Sequence, residues 1–249
     1  MLYVDIEKKL SCFTLKVRFE CDKLPLSLLG PSGAGKSVTL RCIAGIERPD
    51  KGRIVLDDTV LFDSEKRINL PPQKRRVGYL FQDYALFPNM TVWENIKAGM
   101  KNTPRNEREK KAEDLLRKFR LSHLRSARPA TLSGGEKQRT ALARIFASEP
   151  KVLLLDEPFS SLDTDLKWEL EDELKLRFKD FDGDIVIVSH YIDEVLELCD
   201  HVVRIRDGAS DDPVNVRDYY QTVLRSERMG RVTVSKKRIE WLDYDERSL

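Results

Sequence analysis

Two short stretches of the chain hold residue types suited to chemistry on phosphate. The first is Gly30-Pro31-Ser32-Gly33-Ala34-Gly35-Lys36-Ser37. It fills the pattern of glycine, four residues, glycine, lysine, then serine or threonine. Gly33 and Gly35 let the backbone curl so that successive N–H groups face inward. Those donors, with the positive end of a following helix (about half a unit charge), can hold phosphate oxygens. Lys36 adds a mobile full charge for the β- and γ-phosphates of a nucleotide, and the Ser37 hydroxyl is placed to ligate Mg²⁺. The second stretch is Asp156-Glu157, at the end of the apolar run Lys151–Leu155. Asp156 can hold Mg²⁺, usually through water. Glu157, one residue on, can aim at a water beyond the γ-phosphate and act as general base, help typically worth about 10²–10⁴-fold. An adjacent acidic pair alone is usually solvated surface charge; here the apolar strand and the upstream phosphate loop give it a site.

Such groups need a rigid frame. The runs Leu24–Leu29, Arg76–Phe81, Lys151–Leu155, Asp184–Ser189 and Val202–Ile205 are apolar without polar alternation. Unbroken apolar strands predict a sheet covered on both faces, hence parallel strands joined by crossover helices. A strand end in such a sheet is where ligand chemistry sits. The spacing predicts helices over Lys36–Ile46 and Glu107–Phe119, the latter with Ala112, Leu115, Leu116 and Phe119 on one side. Leu166, Leu170, Leu174 and Phe178 recur every four residues and read as a core-packing stripe. A short helix is predicted within Val214–Leu224, and Val232–Trp241 mixes charges with Val, Ile and Trp.

Composition sets the limits. The 249 residues suffice for one α/β domain with a buried core. Lys plus Arg number 44 against 42 acidic residues, a balance that does not mark a dedicated nucleic-acid binder. No run approaches the roughly 20 apolar residues of a membrane span, and the N-terminus lacks a signal-peptide core. A membrane role must therefore come through a partner. Cys12, Cys21, Cys42 and Cys199 are scattered and read as ordinary thiols, in keeping with a reducing compartment.

Leu132-Ser133-Gly134-Gly135-Glu136, followed by Gln138 and Arg139, resembles the signature motif of ABC ATPases. Alone it would be a flexible turn; before the acidic strand it resembles that family only. Gln82 after the strand Val77–Phe81 resembles the family's Q-loop glutamine. Ser160-Ser161-Leu162-Asp163 resembles its D-loop, and His190 after Ile185–Ser189 its switch histidine. His123 and His201 have no such context. The resemblance runs from residue 1 to about 208. It implies a P-loop NTPase cassette in one domain over 1–249: a mainly parallel core sheet, an N-terminal antiparallel β region, a helical subdomain inserted at about 83–148 and a short tail over 209–249. It further implies that two cassettes pack head to tail, with ATP and Mg²⁺ between them. Ser133, Gly134 and Gly135 of one copy would then meet the γ-phosphate held by the other's Lys36. Glu157 would polarise water, His190 would sense the γ-phosphate, and Gln82 would reach metal and water. Ser37, Asp156 and Gln82 are the implied metal residues. Asp163 joins the nucleotide site. The family's adenine-stacking aromatic is expected within Lys8–Phe13, where Leu10 stands at the usual place and Phe13 is the alternative.

The runs Gly52–Asp58, Leu61–Ser64 and Leu70–Gln82, with Asp83–Ile96, look like importer cassettes, most like those for molybdate. Sulfate, iron and polyamine importers remain competitors. The expectation is an ATPase peripheral to the cytoplasmic face of the cell membrane. Its partners would be a second cassette, integral permease subunits and, indirectly, a solute-binding protein. Tyr84, Phe87 and Trp93 read either as core or as a groove for a helix of the membrane subunit. The stretch after Arg206 is too short for the regulatory domain many such ATPases carry. ABC ATPases of DNA repair insert long coiled coils between the two motifs, and those of translation usually carry two cassettes. Here there is neither a heptad run nor a second cassette. An unrelated P-loop kinase would leave Leu132–Glu136 and His190 unexplained.

Overall fold

The computed structural model describes residues 1–100, 103–160, 164–228, 233–235 and 238–240. The chain opens on β1 (Leu2–Lys9) and β2 (Thr14–Cys21), paired antiparallel from Leu2↔Cys21 to Lys9↔Thr14. Along β2 exposed and buried residues alternate strictly, the period of a strand with one wet face. β3 (Leu26–Leu29) is buried throughout and leads through the glycine loop into α1 (Lys36–Ala44). β4 (Lys51–Leu56), β5 (Thr59–Asp63) and β6 (Ile68–Asn69) extend the antiparallel part from the free edge of β1.

β7 (Val77–Leu80) returns to the core sheet. Among the described residues three α-helices follow before the next strand: α2 (Val92–Ala98), α3 (Arg105–Lys118) and α4 (Gly134–Ala147). Then come β8 (Val152–Asp156), α5 (Thr164–Lys179), β9 (Asp184–Val188), α6 (Ile192–Leu198) and β10 (His201–Arg206). β11 (Ala209–Ser210), β12 (Val214–Asn215) and α7 (Val216–Arg228) follow, then the antiparallel pair β13 (Thr233–Ser235) and β14 (Arg238–Glu240).

The main sheet runs β6-β5-β4-β1-β2-β11-β10-β3-β9-β8-β7, with β12 alongside β10. β10, β3, β9, β8 and β7 are mutually parallel. Alternate residues of the central strands serve two cores. Leu153, Leu155, Ile185 and Ile187 face the cluster built with α3, α4 and α5. Val152, Leu154, Val186 and Val188 face the cluster built with α1 and the antiparallel strands. The unbroken apolar runs are thus explained: a strand buried on both faces has no polar side to show. The predicted α/β sheet with an antiparallel N-terminal part is the one found.

Boundaries moved where backbone chemistry outweighs hydropathy. β3 starts at Leu26, since Leu24 is half exposed and Pro25 has no N–H for a ladder. α1 stops at Ala44 because Gly45, at φ 78°, turns back and donates its N–H to carbonyls of the last turn. The helix expected from Val214 begins at Val216, because Val214 and Asn215 pair with β10. In α3, Ala112, Leu115, Leu116 and Phe119 are buried as the spacing required. In α5, Leu170, Leu174 and Phe178 are buried; the side chain of Leu166 lies outside the described residues, as do Val232 and Trp241. Among the described residues no helix is long and apolar enough to cross a membrane.

Candidate nucleotide-binding site

Four strands of the parallel sheet deliver the sequence-predicted residues at their C-terminal ends. β3 runs into Gly30–Ser37, β7 into Gln82, β8 ends on Asp156 with Glu157 next, and β9 is followed by Ser189 and His190. Adjacent parallel strands end side by side, so residues far apart in sequence meet in one crevice.

The glycine loop is built for an anion. α1 has no side-chain cap and no acidic residue in its first turn, so its first N–H groups are left for an external acceptor. Gly35 holds φ 99°, and a Cβ there would stand 2.7 Å from Leu15 of β2, so a larger residue is excluded by both backbone and space. Lys36 is buried, and its ammonium donates to the loop's own carbonyls, Gly30 O at 2.9 Å and Pro31 O at 2.8 Å. Burial pulls its pKa down to about 8, against the opposing pull of Glu157 and Asp156.

Two of the three expected metal residues, Ser37 and Asp156, meet directly. Ser37 Oγ donates to Asp156 Oδ1 at 2.8 Å, and the other carboxylate oxygen, Oδ2, accepts from Tyr79 Oη at 2.7 Å. Gln82 is exposed and 3.4 Å from both Glu157 Oε2 and Ser160 Oγ. The Ser37 hydroxyl and the Asp156 carboxylate are hard-oxygen donors of the kind that fits Mg²⁺, whereas the described contacts of Gln82 are to Glu157 and Ser160.

Glu157 is held in the left-handed region at φ 49°, with its N–H donated to Val188 O. A non-glycine residue there costs of order 1 kcal/mol or more, a strain typical of functional positions. Its Oε1 lies 2.6 Å from His190 Nε2. A carboxylate only accepts, so this bond puts a ring proton on Nε2.

The signature residues sit elsewhere on the chain. Ser133 caps α4 and accepts from Glu136 N, while Glu136 Oε2 accepts from Ser133 N at 2.8 Å. Gly134 and Gly135 form the first turn of α4. Asp163 lies outside the described residues. Leu10 and Phe13 close the β1–β2 turn, Leu10 N donating to Phe13 O at 2.8 Å, and both are half-buried against the α1-side core. The sequence reading did not pick out Tyr79. The available signal was a phenol in an apolar strand, whose oxygen must find a partner when buried. It also overlooked Arg75, whose fully buried guanidinium donates to Cys42 O, Ile43 O and Leu70 O and to Asn69 Oδ1.

A glycine loop between strand and helix, with a carboxylate at the end of the parallel strand next but one, defines a P-loop nucleotide-binding protein. Residues 16–160 match the family model described as ABC transporter, and the chain belongs to that family. Among curated relatives it is 44% identical over 208 residues to the molybdenum import ATP-binding protein ModC of Rhodospirillum rubrum, covering 84% of this chain and 56% of that protein. It is 42% identical over 207 residues to the molybdate/tungstate import ATP-binding protein WtpC of Archaeoglobus fulgidus, covering 83% and 84%. The chain thus spans little more than half the length of the Rhodospirillum relative but most of the Archaeoglobus one. Among solved structures it resembles an ATP-binding cassette captured as a post-hydrolysis dimer with ADP and Pi (TM-score 0.72, 26% identity, 87% of this chain and 99% of that one). It also resembles cbiO1 of Clostridium perfringens, part of the ABC transporter complex cbiONQ (TM-score 0.75, 28% identity, 92% and 96%).

Proposed function

We propose that the chain is the ATP-hydrolysing subunit of an ABC importer, working as a pair on the cytoplasmic face of the membrane beneath permease subunits, with molybdate or a related oxyanion as cargo. The observation that carries the ATPase reading is the convergence of Lys36, Ser37, Asp156, Glu157 and His190 at neighbouring strand ends. The cargo rests on relatives named for molybdate and tungstate import at 42–44% identity. A solute-binding protein would act indirectly, through the permease.

In this reading the free N–H groups of α1 and the Lys36 ammonium bind the β- and γ-phosphates. Ser37, Asp156 and Gln82 hold Mg²⁺, which supplies positive charge against the phosphate oxygens when bound. Glu157, gripped by His190, accepts a proton from the attacking water. His190 also reads the γ-phosphate. Ser133, Gly134 and Gly135 cap the nucleotide of the partner copy, by the same helix-start logic as α1, and Asp163 lies beside the shared site. Phe13 immediately precedes β2 and stands two residues from Leu15, the residue against the glycine loop, and is the proposed base contact. The segment 83–148 is the helical subdomain of a single cassette.

Glu157→Gln is expected to bind ATP within a few-fold of the parent, to hydrolyse it at least 10²-fold more slowly, and to accumulate as a dimer in light scattering. Hydrolysis at the parent rate would remove Glu157 from its role. With its permease in lipid vesicles, the protein should drive ATP-dependent molybdate uptake; uptake of sulfate in its place would overturn the cargo.

A further inference from the structure

We propose that Tyr79 is a positioning residue for the metal site: its phenol fixes the Asp156 carboxylate in the orientation that receives Mg²⁺. The inference rests on the metal reading given above and deepens it.

Tyr79 pairs with Leu154 in the parallel register of β7 and β8. Its ring leans along the strands toward their C-terminal ends, and its hydroxyl reaches Asp156, two residues beyond that partner, at 2.7 Å. Asp156 is 8% exposed, so its carboxylate has little solvent to turn toward. A carboxylate torsion is broad and two-fold, so the side chain's own rotamer does not fix the plane of the oxygens. Partners must do so. Among the described residues two do: Ser37 on Oδ1 and Tyr79 on Oδ2. Ser37 is itself a proposed metal residue, and its oxygen has to serve the ion as well. Tyr79 is the restraint on Asp156 that stands outside the proposed donor set.

The phenol is well suited to the task. A tyrosine phenol carries its O–H at neutral pH and so donates to the carboxylate. Its ring is packed against the α1-side core and lies 4.4 Å from the ring of Phe81, so the hydroxyl is delivered from a fixed base. β7 is the edge strand of the sheet, and Gln82 follows shortly after Tyr79. The bond therefore ties the strand that carries one proposed metal residue to the side chain of another. Hydrogen bonds of this kind to ligating carboxylates are typically worth about 10–100-fold in metal affinity.

The test is Tyr79→Phe in the full chain, which removes one oxygen and keeps the ring. Binding of a non-hydrolysable ATP analogue is titrated in EDTA and then against MgCl₂, and the ligand-free melting temperature is measured alongside. The expected result is unchanged affinity in EDTA and about a tenfold rise in the Mg²⁺ needed for half-maximal enhancement. The same variant should weaken Mn²⁺ binding, read by electron paramagnetic resonance with the analogue present. An unchanged Mg²⁺ requirement would overturn the proposal. So would an equal loss of affinity with and without metal, which marks a merely structural role. If the parent protein shows no Mg²⁺ enhancement, the metal reading itself fails and takes the proposal with it.

Discussion

Lys36 illustrates how a buried charge waits for its ligand. Among the described residues its ammonium donates to loop carbonyls, and desolvation by burial lowers its pKa to about 8 from an unfolded value near 10.5. Between those values the unfolded chain holds a proton that the folded chain has released. On this group's account, stability therefore rises with pH through roughly 8 to 10.5, and the charged form is a cost below that window. A bound polyphosphate reverses the balance by favouring the ammonium. Nucleotide binding near pH 8.5 is thus expected to take up a fraction of a proton, and affinity should fall by up to about tenfold per pH unit above 8. Calorimetry in two buffers of different ionisation heat reads the uptake directly, and Lys36→Met should abolish it.

At the scale of elements, two helices begin with the same device serving different ends. Thr91 caps α2 and Ser133 caps α4, each in a reciprocal box with a glutamate three residues on. Removing either hydroxyl by substitution with Ala should cost about 1 kcal/mol in unfolding free energy. The Thr91 variant should then behave normally with ATP. The Ser133 variant should also lose the ATP-dependent dimer of the Glu157→Gln background, because its hydroxyl is proposed to face the partner's nucleotide. Arg75 works at the other end of α1. Its guanidinium gathers the carbonyls of Cys42 and Ile43, a positive charge on the negative end of the helix. Arg75→Met should lower stability by about 3 kcal/mol in denaturant unfolding, since it orphans buried acceptors.

For the whole molecule, each copy holds a phosphate loop and the proposed base Glu157, while Ser133, whose described partner is Glu136 of its own helix, is proposed to act on a second copy. Turnover per subunit should therefore rise with protein concentration at saturating ATP, becoming proportional to it when the chain is dilute, so that the total rate is then second-order in protein. A rate per subunit that stays constant over a hundredfold dilution would place the whole active site in one copy.

The sequence by itself determined the phosphate loop, the acidic strand end, and the doubly covered parallel sheet. Each is written in local backbone chemistry or in an unbroken apolar run, and neither needs a distant partner to be read. It also marked Gln82 and His190, through their resemblance to the Q-loop glutamine and switch histidine of ABC ATPases. Only the tertiary structure decided which side chains close on one another. Tyr79 reaches Asp156 through strand register, and Arg75 reaches the end of α1 across a long separation in sequence. Both are contacts between residues with no shared periodicity. Hydropathy records whether a side chain is buried, while the partner of a buried polar atom is fixed only when the strands and helices have been set side by side.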